Sequence, residues 1–167
     1  MLLALVAAAL LVRCDAEGPG GDEGGATPGE RLRARVVEVV DGDTVRAELD
    51  RGGVESIRYI GIDTPESNPD QPLECFGHQA EAANAEIVLG RDLSLELGVE
   101  PRDDYGRLLA YVRTGGPEGP LVNAELVRLG FARTLTIAPN DRLAPLFERL
   151  EREAARAGAG LWGACIK

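Results

Sequence analysis

The sequence is poor in histidine and cysteine, and this shortage disfavours one class of site. It has a single histidine, His78, and three cysteines with no CxxC pair. Structural zinc sites draw four ligands from these residue types at close spacing. A zinc centre is therefore not expected, and we interpret His78 as a solvated helix residue.

Positive charge is also scarce. Lys and Arg number 18 against 28 Asp and Glu, which gives a formal net charge of -10. Such a surface repels polyanions, which argues against a protein that coats nucleic acid non-specifically. Residues 31–167 alone still carry 17 bases and 23 acids. Any bound phosphate must therefore be held by a few local cations or by a metal ion.

Long apolar runs are missing except in residues 1–12. This run has about the length of a signal-peptide core and is too short to cross a bilayer as a helix. We expect residues 1–14 to be a signal peptide or a lipoprotein-like anchor through Cys14, and the protein to be exported. Two details depart from such signals, since the run has no basic start and Arg13 precedes Cys14. The alternative is that residues 1–12 pack as an ordinary strand or helix.

Residues 15–30 contain mostly glycine, proline and acidic residues. Ordering them would cost chain entropy with little apolar surface to bury. We predict a flexible linker here, followed by one domain over residues 31–167.

Two of the cysteines, Cys75 and Cys165, lie in that domain. An exported domain meets oxidising conditions, which favour their pairing. In the loop-entropy model a disulfide closing so long a loop adds about 4 kcal/mol of stability. We predict this disulfide, with two buried thiols as the alternative.

Hydrophobic patterning outlines the rest of the domain. Alternating and β-branched segments predict strands, and apolar residues at helical spacing predict helices. Their order is compatible with an α+β fold, a five-stranded Greek-key β-barrel (OB-fold) with three packed α-helices, although other α+β folds share it. The predicted strands are residues 31–40, 44–49, 54–62, 93–97 and 107–113, and the predicted helices are residues 74–89, 121–129 and 141–157.

Two acidic motifs, DGD at residues 41–43 and DTPE at residues 63–66, stand at the ends of apolar strands. Carboxylates gathered at one rim repel one another unless a cation neutralises them, and oxygen-only ligands suit calcium. The alternative is ordinary turn chemistry, in which Asp, Gly, Thr and Pro bond to their own backbone.

Two arginines accompany these acids. Arg58 interrupts an apolar strand, where a cation needs a carboxylate or phosphate partner. Arg107 follows Tyr105-Gly106 at a strand start, where a guanidinium can hold a phosphate through two hydrogen bonds. A structural salt bridge for Arg58 and an exposed strand end for Arg107 are the alternatives.

Five blocks occur in order along the chain: VVDGDTV, IRYIGIDTPE, DDYGRLLAYV, LVNAELVRLGFA and GLWGAC. From about residue 36 to residue 162 the sequence resembles the staphylococcal nuclease (thermonuclease) family. Several blocks in one order are far more specific than any single block. The resemblance implies a phosphodiesterase that cleaves DNA and RNA and leaves a 3'-phosphate and a 5'-hydroxyl.

The resemblance also implies roles for individual residues. Asp43 and Asp63 match calcium carboxylates, with the Thr64 carbonyl as a further ligand and Asp41 as a nearby support. The remaining matches concern the substrate: Glu66 orients or deprotonates the attacking water, Arg58 and Arg107 grip the scissile phosphate, and Tyr105 contacts the nucleotide.

Two departures from the family pattern concern the substrate surface. Asp104 stands where a phosphate-contacting lysine is found, and TLTIAP at residues 134–139 lacks the tyrosines that flank the base. We therefore expect weaker substrate binding and steep salt sensitivity.

The predicted protein is a monomer that acts on DNA or RNA, needs no protein partner and has its N-terminus as a candidate membrane tether. The alternatives are a non-catalytic binding module on the same barrel, or a calcium-stabilised surface protein. A degenerate module would be expected to lose one or more catalytic residues, and a purely structural calcium protein has no use for the two arginines.

Overall fold

The structure is a computed structural model that describes residues 25–67 and 72–165. The prediction for residues 1–14, and that for the linker up to residue 24, lie outside the described residues. The end of the predicted linker contacts the barrel, since the backbone N–H of Gly29 donates to the carbonyl of Gly98 at 3.2 Å. Within the described ranges no helix has the length and apolar character required to cross a bilayer.

Five strands close into a barrel in the order β1-β2-β3-β6-β5. Neighbouring strands are antiparallel except β3 and β6, which run parallel. Two shorter strands, β4 and β7, pair antiparallel in a sheet of their own. The bounds are β1 Arg31–Val39, β2 Thr44–Leu49, β3 Val54–Tyr59, β4 Ile62–Asp63, β5 Asp92–Arg102, β6 Leu108–Thr114 and β7 Arg133–Thr134.

Alternate side chains along each strand point inward and fill the barrel. In β2 the side chains of Val45, Ala47 and Leu49 are buried while those of Arg46 and Glu48 face solvent, as the period of a strand requires. Apolar side chains from β1, β3, β5 and β6 meet them in one core. The predicted five-stranded α+β barrel is confirmed.

Helices pack around the barrel. They are α1 Gly77–Val88, α2 Val122–Arg128, α3 Ala144–Ala157 and α4 Leu161–Ala164. The three predicted helices are present, each a few residues shorter than predicted. Helix α3 buries Phe147, Leu150 and Ala154 along one face, and it packs on α2. Helix α4 was not predicted, because four residues are too few to show a helical period.

Two strand boundaries differ from the prediction by more than one residue. The strand predicted over residues 54–62 is split, because Gly61 has a φ of 82° and turns the chain between β3 and β4. Strand β5 continues to Arg102, beyond the predicted end at residue 97. Its ladder to β6 is irregular between Leu97 and Arg102, so the alternation that marks a strand is lost there.

The predicted disulfide is present between Cys75 and Cys165. It joins the turn before α1 to the residue that follows α4. Trp162 is partly buried, and the guanidinium of Arg133 lies 4.5 Å from its ring centroid. His78 is exposed, as predicted.

Candidate active site

The acidic motifs and Arg58 meet at one rim of the barrel. Thr44 of β2 is the register partner of Arg58 in β3, and the N–H of Tyr59 donates to the carbonyl of Asp43 at 3.0 Å. This pairing places Arg58 beside the DGD turn. The chain then bends at Gly61 and returns through β4, which brings Asp63 to the same place.

Asp43 is buried at the centre of this rim. Its Oδ2 accepts hydrogen bonds from the N–H of Thr64 at 2.7 Å and from the hydroxyl of Thr64 at 3.0 Å. Asp41 caps the turn, since its Oδ1 accepts the N–H of Asp43 at 2.9 Å. Burial, opposed by the charge of Arg58 and reinforced by that of Asp41, raises the pKa of Asp43 to about 7.

Arg58 bridges two carboxylates. Its Nη2 donates to Oδ1 of Asp63 at 2.9 Å. Its Nη1 lies 2.6 Å from Oδ1 of Asp43 as an ion pair without an aligned hydrogen bond. The side chain is only 13% exposed, so its charge is poorly screened by water. In this structure the guanidinium therefore compensates part of the negative charge of the rim.

Glu66 follows β4 by three residues and lies at the edge of the acidic rim. Partial burial and the negative charges of Asp41, Asp63 and Glu74 raise the pKa of Glu66, and Arg58 offsets only part of this effect. A carboxylate with a raised pKa is a better proton acceptor near neutral pH.

Arg107 lies in the loop between β5 and β6 and is held by Asp103. Its Nε donates to Oδ2 of Asp103 at 2.7 Å, and its backbone N–H donates to Oδ1 at 2.9 Å. The same Oδ1 accepts the N–H of Tyr105 at 3.0 Å. Tyr105 is fully exposed, and its ring centroid lies 5.5 Å from Cζ of Arg107. Asp103 was not among the residues predicted from the sequence, although an Asp whose side chain accepts the N–H two residues later is typical of a turn.

Arg58 and Arg107 line one cleft of about 390 Å³. Carboxylates of Glu100, Asp103 and Asp104 also line it, as do the apolar side chains of Leu135 and Ile137. Asp43, Asp63 and Glu66 lie outside its lining. The two predicted phosphate-binding arginines are thus brought to a single cleft, beside the acidic rim.

The apolar wall of the cleft is fixed by Asn140. Its side-chain Oδ1 accepts the N–H of Glu100 at 3.1 Å, and its Nδ2 donates to the carbonyl of Glu100 at 2.8 Å. The carbonyl of Asn140 also accepts the hydroxyl of Tyr111 at 3.3 Å. The segment that carries Leu135 and Ile137 is therefore anchored to both β5 and β6.

The acidic rim has the donor chemistry of a hard divalent cation. In the described part of the chain no three His, Cys, Asp or Glu side chains converge tightly enough to coordinate a metal ion. The donors at the rim are carboxylate and carbonyl oxygens, which calcium prefers. Burial is the main cause of the raised pKa values of Asp43 and Glu66, and the charges of neighbouring acids raise them further. A cation held by Asp43 and Asp63, the two carboxylates that Arg58 bridges, fits this group of acids.

Comparison with known proteins gives one family. Residues 56–164 match the family model described as staphylococcal nuclease homologue. The thermonuclease of Staphylococcus intermedius is 36% identical over 128 residues, which are 76% of this chain and 74% of that protein. The thermonuclease of Staphylococcus hyicus is 31% identical over 129 residues, 77% of this chain and 74% of that protein. Endonuclease YncB of Bacillus subtilis (strain 168) is 33% identical over 144 residues, 81% of this chain and 66% of that protein.

The family match covers most of the candidate site. Arg58, Asp63, Glu66 and Arg107 lie within residues 56–164, whereas the DGD turn precedes them.

Proposed function

This chain belongs to the staphylococcal nuclease homologue family, and we propose that it is a calcium-dependent nuclease that hydrolyses phosphodiester bonds of DNA, RNA or both. Nuclease-named relatives support the general activity. The observation that carries the proposal is the convergence of Arg58 and Arg107 on one cleft beside the acidic rim.

The two arginines hold the scissile phosphate. A guanidinium donates two parallel hydrogen bonds to phosphate oxygens. Attack at phosphorus builds negative charge on the non-bridging oxygens, and fixed cations stabilise that charge. Because Asp103 occupies Nε of Arg107, the two terminal nitrogens of that side chain are the ones directed to substrate.

Glu66 activates the water. Its carboxylate takes a proton from the water, whose oxygen bonds to phosphorus, and the bond from phosphorus to the 5'-oxygen breaks. The leaving oxygen gains a proton, so the products carry a 3'-phosphate and a 5'-hydroxyl. The raised pKa of Glu66 supports this role, because it brings the group nearer to the pH at which it works.

Asp43 and Asp63 would hold the calcium ion, with the Thr64 carbonyl as a third ligand and Asp41 as a support. When bound, the ion supplies positive charge next to the phosphate. It would also offset the charge of Asp41, which adds to burial in raising the pKa of Asp43.

The setting of the enzyme is a further part of the proposal. Export as a secreted or surface-tethered protein is supported by the disulfide, since such bonds persist in oxidising compartments. We propose a monomer without an obligate protein partner. Tyr105 contacts the nucleotide at the open side of the cleft.

A cleavage assay tests the proposal. Purified protein should cut single-stranded DNA or RNA with calcium and should not cut either polymer with a chelator, and end analysis should show 3'-phosphates. Glu66→Gln should lower cleavage about 10³-fold, whereas Glu86→Gln, at an exposed position of α1, should not change it. Binding without cleavage under every metal condition would refute the nuclease and favour the non-catalytic binding module.

A further inference from the structure

Glu74 forms hydrogen bonds with both the N–H and the carbonyl of Glu66. The N–H of Glu74 donates to the carbonyl of Glu66 at 3.0 Å. In return the N–H of Glu66 donates to Oε2 of Glu74 at 3.3 Å. Both hydrogen-bonding groups of the Glu66 backbone therefore depend on one residue.

The first residue of α1, Gly77, lies against the carbonyl oxygen of Glu66. The N–H of Gly77 donates to the carbonyl of Glu74 at 3.1 Å. A Cβ atom at residue 77 would overlap the carbonyl oxygen of Glu66, so only glycine permits this approach. The main chain of Glu66 thus lies against the turn that starts α1.

The disulfide fixes this turn to a distant part of the chain. Cys75 lies next to Glu74 and is bonded to Cys165. The helix before Cys165 is itself anchored, because the N–H of Leu161 donates to the carbonyl of Gly130 at 2.9 Å. Cys75 is exposed, so a reductant in solution can reach the bond.

We propose that Glu74 and the Cys75–Cys165 disulfide form a clamp that positions Glu66 for catalysis, so that reduction of the disulfide lowers activity. The proposal rests on the proposed function, which gives Glu66 its role. In the reduction, a dithiol supplies two electrons and two protons; the S–S bond becomes the two cysteine thiols and the reagent becomes its own disulfide. Freed from the clamp, Glu66 loses its reach to the water, and small displacements of catalytic groups are costly.

Steady-state cleavage of single-stranded DNA tests the clamp. Reduction by dithiothreitol, or the double change Cys75→Ser and Cys165→Ser, should lower kcat about tenfold. KM should stay within about twofold, because Arg58 and Arg107 are held by other elements. An unchanged kcat in both forms would overturn the proposal.

Glu74 has its own matched variants. Glu74→Ala removes the acceptor for the Glu66 N–H and should lower kcat about tenfold. Glu74→Gln keeps an acceptor oxygen and should restore most of the activity, while Glu86→Ala serves as the control on the exposed face of α1. Equal activity of the Ala and Gln variants would contradict a positioning role.

A comparison in the Glu66→Gln background separates positioning from general damage. If the clamp acts through Glu66, reduction should not lower the residual activity of this variant any further. A loss equal to that of the wild type would overturn the proposal.

Hydrogen exchange tests the clamp independently of activity. Under conditions where exchange proceeds by local opening, reduction should speed exchange of the Glu66 amide at least tenfold more than exchange of the β2 amides. If the oxidised wild type cuts neither polymer, the proposed function fails and this measurement alone decides the clamp. Equal exchange in the two redox forms would refute it.

Discussion

The two arginines of the cleft are held in different ways. Arg58 is mostly buried between Asp43 of the DGD turn and Asp63 of β4. Arg107 is held by Asp103, four residues earlier in the same loop, and its side chain is 31% exposed. The position of Arg58 is therefore a property of the whole barrel, whereas that of Arg107 is a property of one loop.

Removal of Arg58 should have the largest effect. Arg58→Ala removes the cation that we propose stabilises the transition state, and it leaves Asp43 and Asp63 without their shared partner. We expect kcat to fall about 10³-fold, equivalent to about 4 kcal/mol, together with a lower Tm in calorimetry. Arg58→Lys, which keeps the charge but not the planar fork, should recover stability better than activity. An unchanged Tm for the Ala variant would contradict the tie between Arg58 and the barrel.

Removal of Arg107 should affect activity alone. Arg107→Ala should lower kcat about 10²-fold, because the phosphate loses one of two guanidinium groups. Its ion pair is partly solvated, so the free energy of unfolding in urea should change by less than about 1 kcal/mol. A loss of stability equal to that of Arg58→Ala would remove the contrast between the two sites.

The buried acid at the Arg58 site predicts a pH dependence of stability. The pKa of Asp43 is about 7 in the folded protein, against 3.8 as its ordinary value, so the folded state binds more protons between these values. This contribution is fully present below the lower value and is lost as pH rises through the upper one. With chelator, the free energy of unfolding should fall by about 2 kcal/mol from pH ~5 to ~7. Asp43→Asn should remove most of this slope, and an equal slope in that variant would contradict the assignment.

A substitution on the loop side of the cleft should have the smallest effect on activity. Asp104 is exposed in the cleft lining, where it repels the substrate backbone. Asp104→Lys should lower KM about threefold at low salt and leave kcat unchanged, because it changes electrostatic attraction and not the chemical step. Glu118→Lys, remote from the cleft lining, controls for net charge. Equal gains from both changes would show that only the overall charge matters.

The barrel could be predicted because apolar and polar residues alternate clearly along its strands. Buried and exposed residues alternate along β2 from Val45 to Leu49, and every predicted strand has a counterpart in the structure. The resemblance to the family located Asp43, Arg58 and Asp63, and these residues do lie together. Their catalytic roles remain predictions.

Other parts of the molecule depend on contacts that local patterns do not encode. Arg102 donates to both carboxylate oxygens of Glu55, at 3.0 and 2.7 Å, although 47 residues separate them. The backbone pairing of Glu66 with Glu74 requires the turn before α1 to fold back. Asp103 could be recognised as a turn residue, but its hold on Arg107 depends on a side-chain direction that the sequence does not reveal.

The side chain of Asn140 substitutes for a neighbouring strand, since it pairs with both backbone groups of Glu100. Because Asn140 must reach Glu100, the pairing constrains the length of the segment before Asn140. It does not constrain which residues that segment contains. Substitutions at Leu135 or Ile137 can therefore change which ligands fit the cleft without disturbing this anchor. An inserted or deleted residue in the same segment would instead shift Asn140 out of register and uncouple the wall from the barrel.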